Sequence, residues 1–166
     1  MTIAAASAND LYVESLEERR AARTIKVFII LGWLSETTFL FFGMIWFPEL
    51  HPSWIGRLIW TQILCGIGMG AAVGALAYLS ASGFRQGSRA ALIITAIMGA
   101  AALAVCNSVC FFVDSRPGVD YWGTHENPAL FLTKGYAVSI LGGIVGSWLL
   151  NTKTGVSVLN KIPFLR

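Results

Sequence analysis

The sequence predicts an all-α integral membrane protein: four transmembrane helices in an antiparallel bundle, both termini cytoplasmic, with a short interfacial helix at the N-terminus. Three observations carry this expectation. The chain is 55% hydrophobic and only 13% charged, with mean hydropathy +0.66, whereas a water-soluble domain carries about 25% charged residues. Four long apolar stretches are separated by polar connections. The lysines and arginines crowd the ends of those stretches on one side.

The first residues, MTIAAASANDLYVESLEERRAART, contain no apolar core of the kind a signal peptide needs, so none is expected to be removed. Within them NDLYVESLEERRAART reads as a helix, with Asn9 as a candidate cap and Glu17 and Arg20 three positions apart. Residues 1–26 are therefore expected to form a cytoplasmic amphipathic segment that lies along the interface and leads into the first span.

The spans follow at about residues 27–47, 58–80, 90–113 and 129–150, inside a transmembrane domain of residues 27–150. Each is about 20–24 residues, against the ~20 that a helix needs to cross the hydrocarbon. Helices satisfy their own backbone within one segment, which lipid demands. The turn ASGFRQGSR is short and makes spans two and three an antiparallel pair. Residues 151–166 are expected to be a cytoplasmic tail.

Direction follows from the basic residues. Arg19, Arg20, Arg23, Lys26, Arg85, Arg89, Lys153, Lys161 and Arg166 fall on one side, and Arg57, Arg116 and Lys134 on the other. The first side is expected to be cytoplasmic, in the cell's inner or plasma membrane. The net charge of +3 is small and sits mostly at span ends, so no nucleic-acid partner is expected. The outer loops each carry a tryptophan, Trp54 and Trp122, as interfacial belts do.

Span two carries CGIGMGAAVG, in which Gly66, Gly70 and Gly74 recur every four residues and line one helix face. Span four has Gly142 and Gly146. Small residues at this spacing let another helix approach closely, which matters where packing is the main force between helices. One reading is that these faces hold the bundle together. The other is that one of them grips a partner protein, a lipid or a flat pigment.

Glu36 is the unusual residue, because LGWLSETTFLFF places it near the middle of span one. A charged carboxylate there costs ~2.5–3.5 kcal/mol on insertion scales. It must be protonated, paired or turned to a polar interior. Gln62, Asn107 and Lys134 fall at similar depths, one to two turns below the outer surface. Lys134 either snorkels to the headgroups or leans down to Glu36. If these four residues line an outward-facing pocket, Glu36 would accept protons and Lys134 would clamp an anionic substrate.

Metal and redox chemistry have thin support. Cys106 and Cys110, in CNSVC, share a helix face and could hold a soft ion such as copper(I). His51 and His125 lie in loops on the same side and could converge on a transition metal. No cofactor is expected. Neither histidine lies in a span, which argues against a buried bis-histidine haem. CxxxC without a second pair in the outer loops does not make a four-helix thiol oxidase.

No Walker loop, Rossmann glycine pattern, Ser–His–Asp set or HExxH occurs. Two functions remain. The first is a small accessory or structural subunit without catalytic activity, bound to other membrane subunits and the lipid bilayer through its glycine faces and aromatic surface. The second is a small membrane enzyme or proton-coupled carrier built around Glu36 and Lys134.

Overall fold

The computed structural model describes residues 8–46, 62–114 and 128–165. All the regular structure among them is helical. Helix α1 runs from Ala8 to Trp46, 39 residues in one piece. A π-helical stretch, Gln62–Met69, passes directly into α2, Gly70–Ala81. Helix α3 is Arg89–Asp114, α4 is Pro128–Asn151, and α5 is Lys153–Asn160, followed by a 3-10 turn at Pro163–Leu165.

The N-terminal helix and the first apolar stretch form one unbroken helix. No glycine or proline occurs between Ala8 and Leu31, and Leu16–Ala22 are mostly good helix formers. Nothing therefore stops the helix at the apolar boundary. At 1.5 Å per residue it is about 58 Å long, nearly twice the ~30 Å of a hydrocarbon core. The C-terminal tail is folded. Thr152 leaves α4 in an extended conformation, and its hydroxyl accepts from the Gly155 amide at 3.0 Å, which starts α5.

The connection between α2 and α3 is a tight reversal. Gly87 takes φ +80, which suits a residue with no Cβ. Ser88 then caps α3 by accepting from the Ala91 amide at 3.1 Å.

The long helices close a ring. α3 and α4 make the most extensive pairing, α1 packs on α2 and its π-helical lead-in, α2 on α3, and α4 on α1. The glycines set these approaches. A Cβ on Gly66 would meet Trp33 Cα at 2.9 Å, one on Gly70 the Phe28 carbonyl at 2.7 Å, and one on Gly74 Ile25 Cα at 2.6 Å. α1 answers with Gly32, whose Cβ would lie 2.8 Å from the Gly66 carbonyl. Backbone meets backbone along this whole seam. On the other side of the ring, Phe28 is fully buried, and its ring sits where side chains on Gly99 and Gly146 would have to go. A Cβ on Gly142 would meet Leu103 Cδ1 at 2.8 Å.

The core is correspondingly thin, with Val27, Phe28, Val73, Ala77, Leu103 and Leu150, joined by Leu159 and Leu165 from the tail. The buried polar residues are small, among them Thr95, Ser139 and Ser147. The larger aliphatics face outward. On α3, Ile93, Ile97, Val105 and Val109 form an exposed stripe, and on α4 Ile140, Ile144 and Trp148 form another.

Among the described residues one segment, Arg89–Val109, is long and apolar enough to cross a membrane, and only 22% of an apolar 18-residue stretch within it is buried. Gly66–Ala81 and Gly135–Asn151 are apolar but shorter.

The glycine seam makes a direct prediction. Gly74→Leu should destabilise the protein by about 1–3 kcal/mol, because the new side chain meets backbone that cannot rotate away. Gly83→Leu is the control, since nothing lies within 4 Å of that position. Thermal unfolding in detergent should show a lowered midpoint for the first and little change for the second.

Candidate functional site

Asn107 lies on α3 facing α4. Its amide donates to the Gly135 carbonyl at 3.2 Å and to Ser139 Oγ at 2.7 Å, and Ser139 donates onward to the same carbonyl at 2.8 Å. Ser139 is fully buried. The next residue repeats the connection. Ser108 gives its one proton to the Ala104 carbonyl at 2.8 Å, which leaves Tyr136 as the donor in the 3.0 Å bond between the two hydroxyls. Asn107 and Ser108 thus tie α3 to α4 at adjacent positions, and Asn107 reaches the residue after Lys134.

The other members of the polar set are not brought together here. Glu36, Gln62 and Lys134 belong to described helices, but their side chains lie outside the described residues, as does that of Cys110. His51 and His125 also lie outside the described residues. Cys106 is half-buried and packs against the apolar core. Among the described residues no three His, Cys, Asp or Glu side chains gather closely enough to hold a metal ion.

A second polar cluster, at the basic end, was not singled out by sequence. Its arginines act there as helix caps. Arg20 Nη2 donates to the carbonyls of Ala81 at 3.1 Å and Phe84 at 3.0 Å, closing the C-terminal end of α2. Helix ends leave such carbonyls without partners, and a cation also suits the negative end of the helix dipole. Glu17 approaches Arg20 at 3.8 Å and accepts from Tyr78 OH at 2.9 Å.

Arg23 holds the tail, through Nε to the Leu165 carbonyl at 3.1 Å and Nη2 to Asn160 Oδ1 at 3.0 Å. Gln86 donates to the Leu150 carbonyl at 3.0 Å. Asn151 donates to Thr95 Oγ1 at 3.3 Å, and Ser147 to the Leu92 carbonyl.

Between these groups, Arg23, Thr24, Tyr78, Gln86, Thr95 and Asn151 line a cavity of about 10 Å³, room for about one water. The sequence signal was the clustering of arginines before span one. It reads equally well as a topology signal, which hides the capping role.

The third feature is a shallow, open groove of about 490 Å³ on the outer flank of α3 and α4, lined by Ala104, Val105, Ser108, Val109 and Tyr136. Its walls are mostly apolar, and the Ser108–Tyr136 hydroxyl pair is the polar part.

No protein-family model matches the chain, and comparison with curated proteins and with solved structures gives no match.

Two substitutions test this geometry. Asn107→Ala removes both bonds to α4 and should cost about 0.6–1.7 kcal/mol, the range found for hydrogen bonds between membrane helices. In a double-mutant cycle with Ser139→Ala the two effects should be non-additive. Arg20→Met should cost about 1.5 kcal/mol, because two helix-end carbonyls lose a charged donor. Both are read by denaturant or thermal unfolding in detergent.

Proposed function

We propose that the chain is an integral membrane protein, a four-helix bundle with cytoplasmic termini, that serves as a small accessory subunit of a larger membrane complex. The observation that carries the membrane reading is the inverted packing of α3. Its inner face presents Thr95, Gly99 and Asn107 to the neighbouring helices, while Ile93, Ile97, Val105 and Val109 point away from the protein. A helix this apolar that served as the core of a water-soluble protein would be mostly buried. Only 22% of an apolar 18-residue stretch within Arg89–Val109 is buried, so the solvent of its outer face is best supplied by lipid. The eight described basic side chains at one end agree with a cytoplasmic end.

The subunit reading is supported by how the polar groups are used. Asn107, one of the four residues of the pocket reading, is engaged in pairing α3 with α4 rather than in lining a chamber. The glycine faces of α2 and α4 meet the chain's own helices. The partner surface is therefore assigned to the outer flank of α3 and α4, at the groove around Tyr136, instead of to those glycine faces.

Gentle purification from the source membrane, followed by mass spectrometry of the intact particle, tests this. The chain is expected to co-purify in fixed ratio with larger subunits. Val105→Trp, which fills the groove, should reduce the recovered partner several-fold while leaving the yield of the chain itself unchanged. A chain that runs alone in mild detergent overturns the subunit reading and returns Glu36 and Lys134 to the centre. For topology, a cysteine at Gly83 should react with an impermeant maleimide only after the cells are opened.

A further inference from the structure

The tail carries a surface that neither the helix seams nor the lateral groove uses. α5 bends back over the end of α4, with Gly155 against the Trp148 carbonyl and Leu149 Cα. Leu159 and Leu165 turn inward and are buried. The opposite side of the same segment is exposed and mixed. Val158 and Ile162 are exposed, and Phe164 is 59% exposed, with Lys153, Ser157 and Lys161 between and beside them. Lys26 Nζ stands 5.0 Å from the centre of the Phe164 ring.

Two contacts fix the height of this surface. Lys26 is the residue that precedes the first apolar stretch, and Trp148, exposed, lies in the last turn of α4. The segment therefore runs across the bundle where its helices leave the apolar zone, not beyond it.

The charge there is one-sided. Arg19, Arg85, Arg89, Lys153 and Lys161 are exposed at this end, and the exposed carboxylates described there are Glu17 and Glu18. A short helix and the turn that follows it, together presenting lysines beside phenylalanine and aliphatic side chains, have the form of a segment lying in a lipid interface. Lysine stems can cover apolar surface while their ammonium groups stay among headgroups.

We propose that α5 and the Pro163–Leu165 turn form an interfacial platform that binds anionic phospholipid headgroups. Val158, Ile162 and Phe164 rest on the upper acyl region, and Lys26, Lys153 and Lys161 meet the phosphodiesters. This rests on the membrane reading given above. A lipid surface is the one occupant that offers an apolar layer and an anionic layer at the spacing of a single short helix. Arg23 serves as the positioning residue, because its bonds to Leu165 and Asn160 hold the platform at that level.

The test uses the full chain in nanodiscs of phosphatidylcholine, with or without phosphatidylglycerol, and reads amide hydrogen exchange over residues 153–165. Exchange should slow with the anionic lipid, by roughly five-fold for each lysine engaged, and the gain should shrink at high salt. K153Q/K161Q should abolish the lipid dependence, while K153R/K161R should retain it. The arginine pair and the salt titration of the unaltered chain keep the result interpretable if the glutamine pair does not fold. Adding inorganic phosphate to the neutral discs should not reproduce the effect.

Equal exchange in both discs overturns the proposal, as does a glutamine pair that keeps the difference. Protection found only in the native membrane also overturns it, in favour of an acidic partner protein. Carbonate washing separates the two levels. A chain that leaves the membrane sinks the membrane reading itself. One that stays, yet ignores the anionic lipid, sinks only the platform.

Discussion

The close approach of α1 to α2 is the constraint on which the rest of the molecule depends. Gly66, Gly70 and Gly74 on one side, with Gly32 on the other, bring two backbones to distances that no side chain would allow. That approach places the ring of Phe28 across the bundle, where Gly99 and Gly146 make room for it. α3 and α4 can then meet α1 without a thick apolar core. In lipid this is a sensible way to hold helices, because burying a leucine between helices gains little over leaving it in hydrocarbon, whereas close contact gains dispersion attraction.

A thin core needs other fastenings, and the polar residues supply them at two levels. Near the middle of the α3–α4 pair, Asn107, Ser108, Tyr136 and Ser139 form short cross-links. At the basic end, Arg20, Arg23 and Gln86 bind carbonyls at the ends of α2, the C-terminal turn and α4. The same arginines supply positive charge at the end read as cytoplasmic. One set of residues therefore both carries the charge on which the topology reading rests and closes helix ends. The C-terminal helix and the turn after it complete that end by placing Leu159 and Leu165 into the core, so the tail is part of the fold.

Much of the architecture was legible in the chain. The apolar runs at residues 90–113 and 129–150 coincide with helices α3 and α4 to within a residue at each end, because long apolar runs bounded by Arg89 and Pro128 have clear limits. The reversal at ASGFRQGSR was equally clear from its glycines and its length. The N-terminal helix runs into the first apolar stretch without interruption, because a change from polar to apolar side chains does not stop a helix where no glycine or proline stands. The π-helical stretch at Gln62–Met69 and helix α5 also had no local signal strong enough to mark them. Of the candidate site, Asn107 stood out in sequence as a polar residue among apolar ones and was read as a pocket residue, but its bonds to Gly135 and Ser139 pair α3 with α4, and those partners could not be known from the sequence.

The sequence by itself determined helicity, the position of the apolar runs, and where along the chain the basic residues fall. These depend on composition and on periodicity along one chain segment. Only the tertiary structure decided which face of each helix meets which neighbour, that the glycine stripe of α2 closes on α1, and that Arg20 and Arg23 are fastenings. When every face of a helix is apolar, periodicity carries no arrow pointing inward. The choice is made by steric fit between backbones and by where the few polar groups find partners, and both exist only once the helices are side by side.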